Sequence, residues 1–172
     1  MPDIQSLKPV DLAVGLRLAE APEAKYDQLS ADLGISASTA HAAVRRLQVA
    51  GLLRPGSRAV NRLAFQEFLE HGVRYAFPAQ PGAEVRGVPT AHAGPPLAGH
   101  IVAEDVLVWP TASGSAVGRA VAPLYRRAVE LPERCPSVYE SLTLVDALRV
   151  GRARERKLAA EALRQKLQAK AA

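Results

Sequence analysis

Residues 26–53 read YDQLSADLGISASTAHAAVRRLQVAGLL. Leu29 and Leu33 stand one helical turn apart, and Gly34 follows where a helix C-terminal cap belongs. Ser36 then offers a hydroxyl acceptor to the free amides of a new helix running through Ala50. The pattern predicts a helix over 27–33 and another from the Ser36 cap onward, joined by the turn Gly34-Ile35-Ser36, with Ile35 plugging the interface between them. In the second helix Ala40, Ala43, Val44 and Leu47 form an apolar stripe. Ser38, His41, Ala42 and Arg45 occupy the other side, with Ser36 and Thr39 at the helix start. That second face is short, polar and free of acid. Small residues permit close approach to a DNA major groove, while hydroxyl, imidazole and guanidinium groups reach base edges or phosphates. Arg45, Arg46, Arg54 and Arg58 are expected to hold phosphates or enter the adjacent minor groove. The competing interpretation is a solvated helix face, or a protein-interaction module, in a chain rich in alanine and arginine.

Outward from this segment, PVDLAVGLRLAEAP over 9–22 predicts a helix of about 12 residues, with Pro9 in its first turn and Pro22 past its end. Downstream, Arg54 to Arg58 is a turn by composition. Val60, Leu63, Ala64, Phe68, Leu69 and Val73 repeat at three and four, which predicts a helix from about Asn61 to His71, ended by Gly72. Between Val73 and Val106, Pro78, Pro81, Gly82, Gly87, Pro89, Gly94, Pro95, Pro96 and Gly99 argue against long regular elements. Val85, Val88, Leu97, Ile101 and Val102 make that stretch too apolar for a linker, so it is expected to lie ordered but irregular across the helices. Val106 to Trp109 and Ala116 to Ala122 read as a β-hairpin. Helices are predicted over 137–150 and 152–170, with Gly151 breaking or bending the run.

The 172 residues are 48% apolar and 23% charged, ordinary values for a globular chain, and carry a net charge of +5. The charge is unevenly placed. Residues 1–35 are net −3, 36–62 are net +5 without one acid, 63–140 are net −2 and 141–172 are net +5. Phosphate contacts are short-ranged and screened beyond about 10 Å, so placement matters more than the total. Nothing approaches the roughly 18 consecutive apolar residues of a membrane span, and the start lacks the pattern of a secretory signal. The single cysteine, Cys135, excludes an internal disulfide framework and fits a reducing cytoplasm.

The stretches Leu29 to Thr39, Val44-Arg45-Arg46-Leu47 and Ala50-Gly51-Leu52-Leu53 resemble the DNA-binding half of bacterial winged helix-turn-helix regulators of the MarR and IclR kind. The resemblance covers about residues 8–64. It implies a three-helix core, sequence-specific binding of double-stranded DNA, and a homodimer whose recognition helix runs from after Ser36 through Arg45. Two features depart from the pattern: Ser30 stands near a usual alanine, and the residues after Arg58 look helical instead of completing a regular wing. The expected fold is α+β, mainly α. A winged helix-turn-helix domain is expected over 1–72, and over 73–172 a Pro/Gly-rich α+β region, with a β-hairpin and terminal basic helices, for dimerisation or partner binding. The expected function is a cytoplasmic transcriptional regulator, a repressor acting by operator occlusion, with no catalytic residues, cofactor or metal. The alternative is an antitoxin or accessory module that binds a partner protein through 73–172. A third possibility is a small-molecule or redox sensor.

Other groupings carry less. The chain lacks a phosphate-loop motif, and His41, His71, His92 and His100 have no metal-motif context. A site from His92, His100, Glu104, Asp105 and Cys135 requires the fold to assemble it. Cys135 beside Arg134 reads as an inert thiol ahead of a redox sensor. Trp109, Tyr125, Phe77 and Tyr75 read as core anchors ahead of a ligand pocket. The terminal helix reads as solvated, with an apolar stripe for a symmetry mate.

Overall fold

The computed structural model describes residues 6–103 and 105–169. Helix α1 (Pro9–Glu20) starts on a proline, and the Asp11 carboxylate accepts from the Lys8 amide at 2.8 Å. Helix α2 (Tyr26–Leu33) stops at Gly34, whose φ of 66° is a left-handed cap that a side chain would strain. Ser36 caps α3 (Ala37–Val49) by accepting from the Thr39 amide at 3.1 Å. Ala40, Ala43, Val44 and Leu47 are buried against Leu29, Leu33 and α1, as the stripe predicts.

After α3 the chain makes a minimal hairpin. Leu53 bridges Val60, the Arg54 amide donates to Ala59, and the Asn61 amide donates to Leu52. Asn61 then caps α4 (Arg62–Glu67). The expected stop at Gly72 does not occur. A π-helical turn at Phe68–Gly72 leads straight into α5 (Val73–Ala76). The wider turn keeps Phe65, Leu69 and Val73, spaced by four, on one buried side. Gly72 lies under the Phe68 ring, where a Cβ would come within 2.9 Å of it.

The strands also depart from expectation. The Pro/Gly-rich segment contains β1 (Glu84–Pro89), which pairs antiparallel with both β2 (Leu107–Pro110) and β3 (Ala116–Ala120). β2 and β3 are therefore not a hairpin: they run parallel, Leu107 beside Arg119 and Val108 beside Ala120, and close a three-stranded barrel. The crossing is possible because Gly87 lacks a side chain. It pairs with Pro110 and Ala116 at once, and a Cβ there would lie 2.1 Å from the Trp109 carbonyl oxygen.

Helix α6 (Leu131–Arg134) leads into α7 (Pro136–Val150), which is buried almost throughout. Its Asp146 accepts from Thr90 Oγ1 at 2.7 Å, Trp109 Nε1 at 2.6 Å and Arg149 Nη1 at 2.7 Å, tying the barrel to the helix. Gly151 is extended and breaks the run, so α8 (Ala153–Ala169) folds back on α7. Ala159, Leu163 and Leu167 are buried inside the chain and Leu158 and Ala162 are half-buried, so the apolar stripe of α8 packs against the chain itself. The fold is α+β and mainly α, and its apolar core runs unbroken from Leu12 to Leu167 across residue 72.

Candidate nucleic-acid interface

The exposed side of α3 presents Ser38, His41 and Arg45, with Ser36 exposed at its cap and Thr39 and Ala42 half-buried. Ser36 Oγ lies 2.9 Å from Ser38 Oγ and 2.8 Å from Thr39 Oγ1, so three hydroxyls cluster at the helix start. Arg45 is exposed and has no intramolecular partner among the described residues. Arg54 stands likewise at the start of the hairpin loop.

Arg46 is the main correction. It does not share the outer face with Arg45 but points inward, its side chain only 7% exposed against a fully buried Asp11. Nε donates to Asp11 Oδ2 at 2.8 Å and Nη2 to Oδ1 at 2.7 Å, a bidentate pair that joins α3 to α1. The hydrogen bonds to Asp11 hold the guanidinium pKa above its ordinary value. Arg46 therefore fixes the angle of α3 and has no route to a phosphate.

Arg58 is also engaged. Its Nη1 donates to the Ala24 carbonyl at 2.6 Å, and its guanidinium lies 5.1 Å from the Tyr26 ring centroid. Tyr26 stacks on His41, centroids 3.4 Å apart and planes 21° apart. Lys25, Tyr26, Asp27, His41 and Arg58 line a shallow cleft beside α3. Tyr26 and Lys25 join this cleft beside the residues expected from the sequence. Their link to His41 and Arg58 needs the hairpin to fold back over the start of α2, which no local spacing announces. Asp27 puts one acid at the edge of a face whose own stretch of chain has none.

Close to Gly34, Arg127 and Arg134 both donate to Glu130 at 2.7 Å. These hydrogen bonds hold the Glu130 carboxyl down at about 2.

Of the other groupings, only His92 and Asp105 meet among the described residues, His92 Nε2 lying 2.6 Å from the Asp105 carbonyl oxygen. Among the described residues no set of three His, Cys, Asp or Glu side chains is placed to hold a metal ion, and Glu104 lies outside them. Cys135 is a buried free thiol 3.7 Å from Ser137 Oγ. Trp109 is buried in the core, Tyr125 donates to the Leu33 carbonyl at 2.9 Å, and Phe77 packs edge-on to Phe68. Tyr75 is exposed instead of anchoring the core. His92 is buried and His100 exposed. Among the described residues no helix is long and apolar enough to cross a membrane. No protein-family model matches the chain, and neither a curated protein nor a solved structure does.

Proposed function

We propose that the protein is a sequence-specific DNA-binding transcriptional regulator of the cytoplasm. In this reading α1 to α3 and the short hairpin form a winged helix-turn-helix unit with α3 as its recognition helix. The carrying observation is that the Arg45 and Arg54 side chains stand exposed, and unpaired among the described residues, beside a short, hydroxyl-rich helix face. The same helix is braced from behind by the buried Asp11–Arg46 pair. A braced helix with small outward residues suits groove entry, because the side chains that touch bases are held at fixed angles. Arg45 would reach a guanine edge or a phosphate, and Arg54 would hold the flanking backbone.

A homodimer places two such helices about 34 Å apart on a near-palindromic operator and represses by occlusion. Such a dimer would meet through a surface other than the inward-packed stripe of α8.

Selection of bound sequences from random duplex DNA, followed by polarisation titration at moderate salt, tests this. An enriched near-palindrome, with Arg45→Ala plus Arg54→Ala weakening it about a hundredfold, supports the assignment. No enrichment, or affinity unchanged in that double variant, overturns it in favour of a protein-interaction module.

A further inference from the structure

Of the exposed side chains on the outer face of α3, His41 alone is held by another helix among the described residues. Ser38 bonds the neighbouring Ser36 hydroxyl, and the Arg45 guanidinium has no partner among them. The His41 ring lies on Tyr26, the first residue of α2, with centroids 3.4 Å apart and planes 21° apart. Tyr26 is half-buried and packs against the apolar core. The Arg58 guanidinium lies over the Tyr26 ring at 5.1 Å while its Nη1 donates to the Ala24 carbonyl at 2.6 Å, so the hairpin bears on the same ring.

His41 stays exposed and sits in the second turn of α3, within the part of a groove-entering helix that meets base edges. An imidazole on a bare helix turns about two side-chain torsions, and ordering such a side chain on binding costs affinity. Against Tyr26 the ring is ordered before any ligand arrives. Stacking occupies a face of the ring and leaves its nitrogens at the edge, where neither makes a hydrogen bond among the described residues. The cleft beside the stack is a poor seat for a phosphate, because the Asp27 carboxylate shares its lining with Lys25 and Arg58. What the arrangement supplies is a fixed ring.

We propose that Tyr26 is a positioning residue for base readout: it fixes the His41 imidazole so that one ring N–H reads a guanine in each half-site. Guanine presents N7 and O6 as adjacent acceptors in the major groove, which suits a single N–H held at a set angle. The inference rests on the DNA-binding reading and adds to it a residue outside α3 that decides specificity.

Sequence selection from random duplex DNA tests it, with the wild-type chain, Tyr26→Phe, Tyr26→Ala, His41→Ala and the double variant Tyr26→Ala with His41→Ala. Titrations on the selected site and on its single-base-pair changes follow. His41→Ala should reduce the preference for guanine at one position per half-site about tenfold. Tyr26→Ala should do the same although it touches no base, and Tyr26→Phe, which keeps the ring, should retain the preference. In the double variant the loss should match that of His41→Ala alone, because the tyrosine acts through the histidine. Affinity for an unselected duplex should stay within about twofold throughout, since no Lys or Arg is removed. A merely destabilised protein would lose both kinds of binding alike. Without DNA, proton NMR should place the His41 ring protons upfield of their position in Tyr26→Ala, through the tyrosine ring current. No sequence selection by the wild-type chain overturns the regulator reading and this inference with it. Selection with the guanine preference intact in Tyr26→Ala overturns this inference alone, as does a His41 spectrum indifferent to Tyr26.

Discussion

In residues 36–62, the Arg45 and Arg54 side chains stand exposed without partners among the described residues. In residues 141–172, Arg164 reaches Glu70 at 3.0 Å, Lys166 reaches Glu140 at 2.7 Å and Arg149 reaches Asp146 at 2.7 Å. Both stretches are net +5. The second uses much of its charge to hold α8 and α7 to the rest of the molecule, and its exposed Arg154 and Lys157 share the helix with Glu155 and Glu161. The first is divided more sharply. Arg46, Arg58 and Arg62 are tied to Asp11, Ala24 and Ala19, and what remains faces outward on one side of α3 and its hairpin. Equal charge therefore says little about ligands. What distinguishes the stretches is whether the cations left over sit together on a surface without acids between them.

The largest expected effect separates Arg46 from its neighbour in sequence. Arg46→Ala leaves Asp11 buried and unpaired, which costs about 3–5 kcal/mol of stability, read as a lower urea midpoint. Replacing the pair together, Asp11→Leu with Arg46→Met, recovers most of that loss. An unchanged midpoint in Arg46→Ala would put the side chain back on the outer face and erase the contrast.

Arg45→Ala is the mirror case. It should shift stability by no more than about 0.5 kcal/mol and weaken a selected DNA site by about 1–3 kcal/mol. Arg54→Ala should lower affinity uniformly across sequences and reduce the salt slope by about 1. Lys166→Ala probes the other stretch. Its pair with Glu140 is partly exposed, so its removal costs about 0.2–1 kcal/mol and leaves DNA affinity alone.

The smallest effect is at Glu130, which neutralises Arg127 and Arg134 near the turn before α3. Its carboxyl is lowered to about 2 in the folded chain, against about 4.3 unfolded. The stabilisation is therefore complete above about pH 4.3 and disappears as pH falls through about 2. Melting of wild type against Glu130→Gln should show a small gap at neutral pH that closes over that acidic window. Added salt should narrow it, because the site is exposed.

The parts of the fold legible in the sequence are those written in neighbouring residues. Gly34 and Ser36 act through bonds to residues within five positions, so both helix ends and the stripe of α3 could be read directly. Gly87 acts through Pro110 and Ala116, far along the chain, and the strand it belongs to is masked by its own Gly and Pro. Arg46 sits at the margin of the α3 stripe, and the partner that turns it inward is Asp11, 35 residues away. At the candidate interface, Ser38, His41 and Arg45 emerge on the outer face as the helical period requires. Arg58 does not stay free, because a carbonyl and a ring from the start of α2 lie within its reach. His92 was paired in sequence with Asp105, which it meets, but its approach to Glu155 exists only where α8 folds back onto the barrel.

The unbroken core has a bearing on how this chain could be reused. Arg62, at the start of α4, donates to the backbone of Leu167 in α8, and α1 lies against α7. A gene fusion that carried off only the first three helices would strip from α1 the Phe65 ring of α4 that packs against Gly15. Grafting α3 onto another protein thus means transplanting the whole chain. Natural shuffling of this surface by recombination meets the same obstacle, leaving point substitution as the easier path to a new specificity.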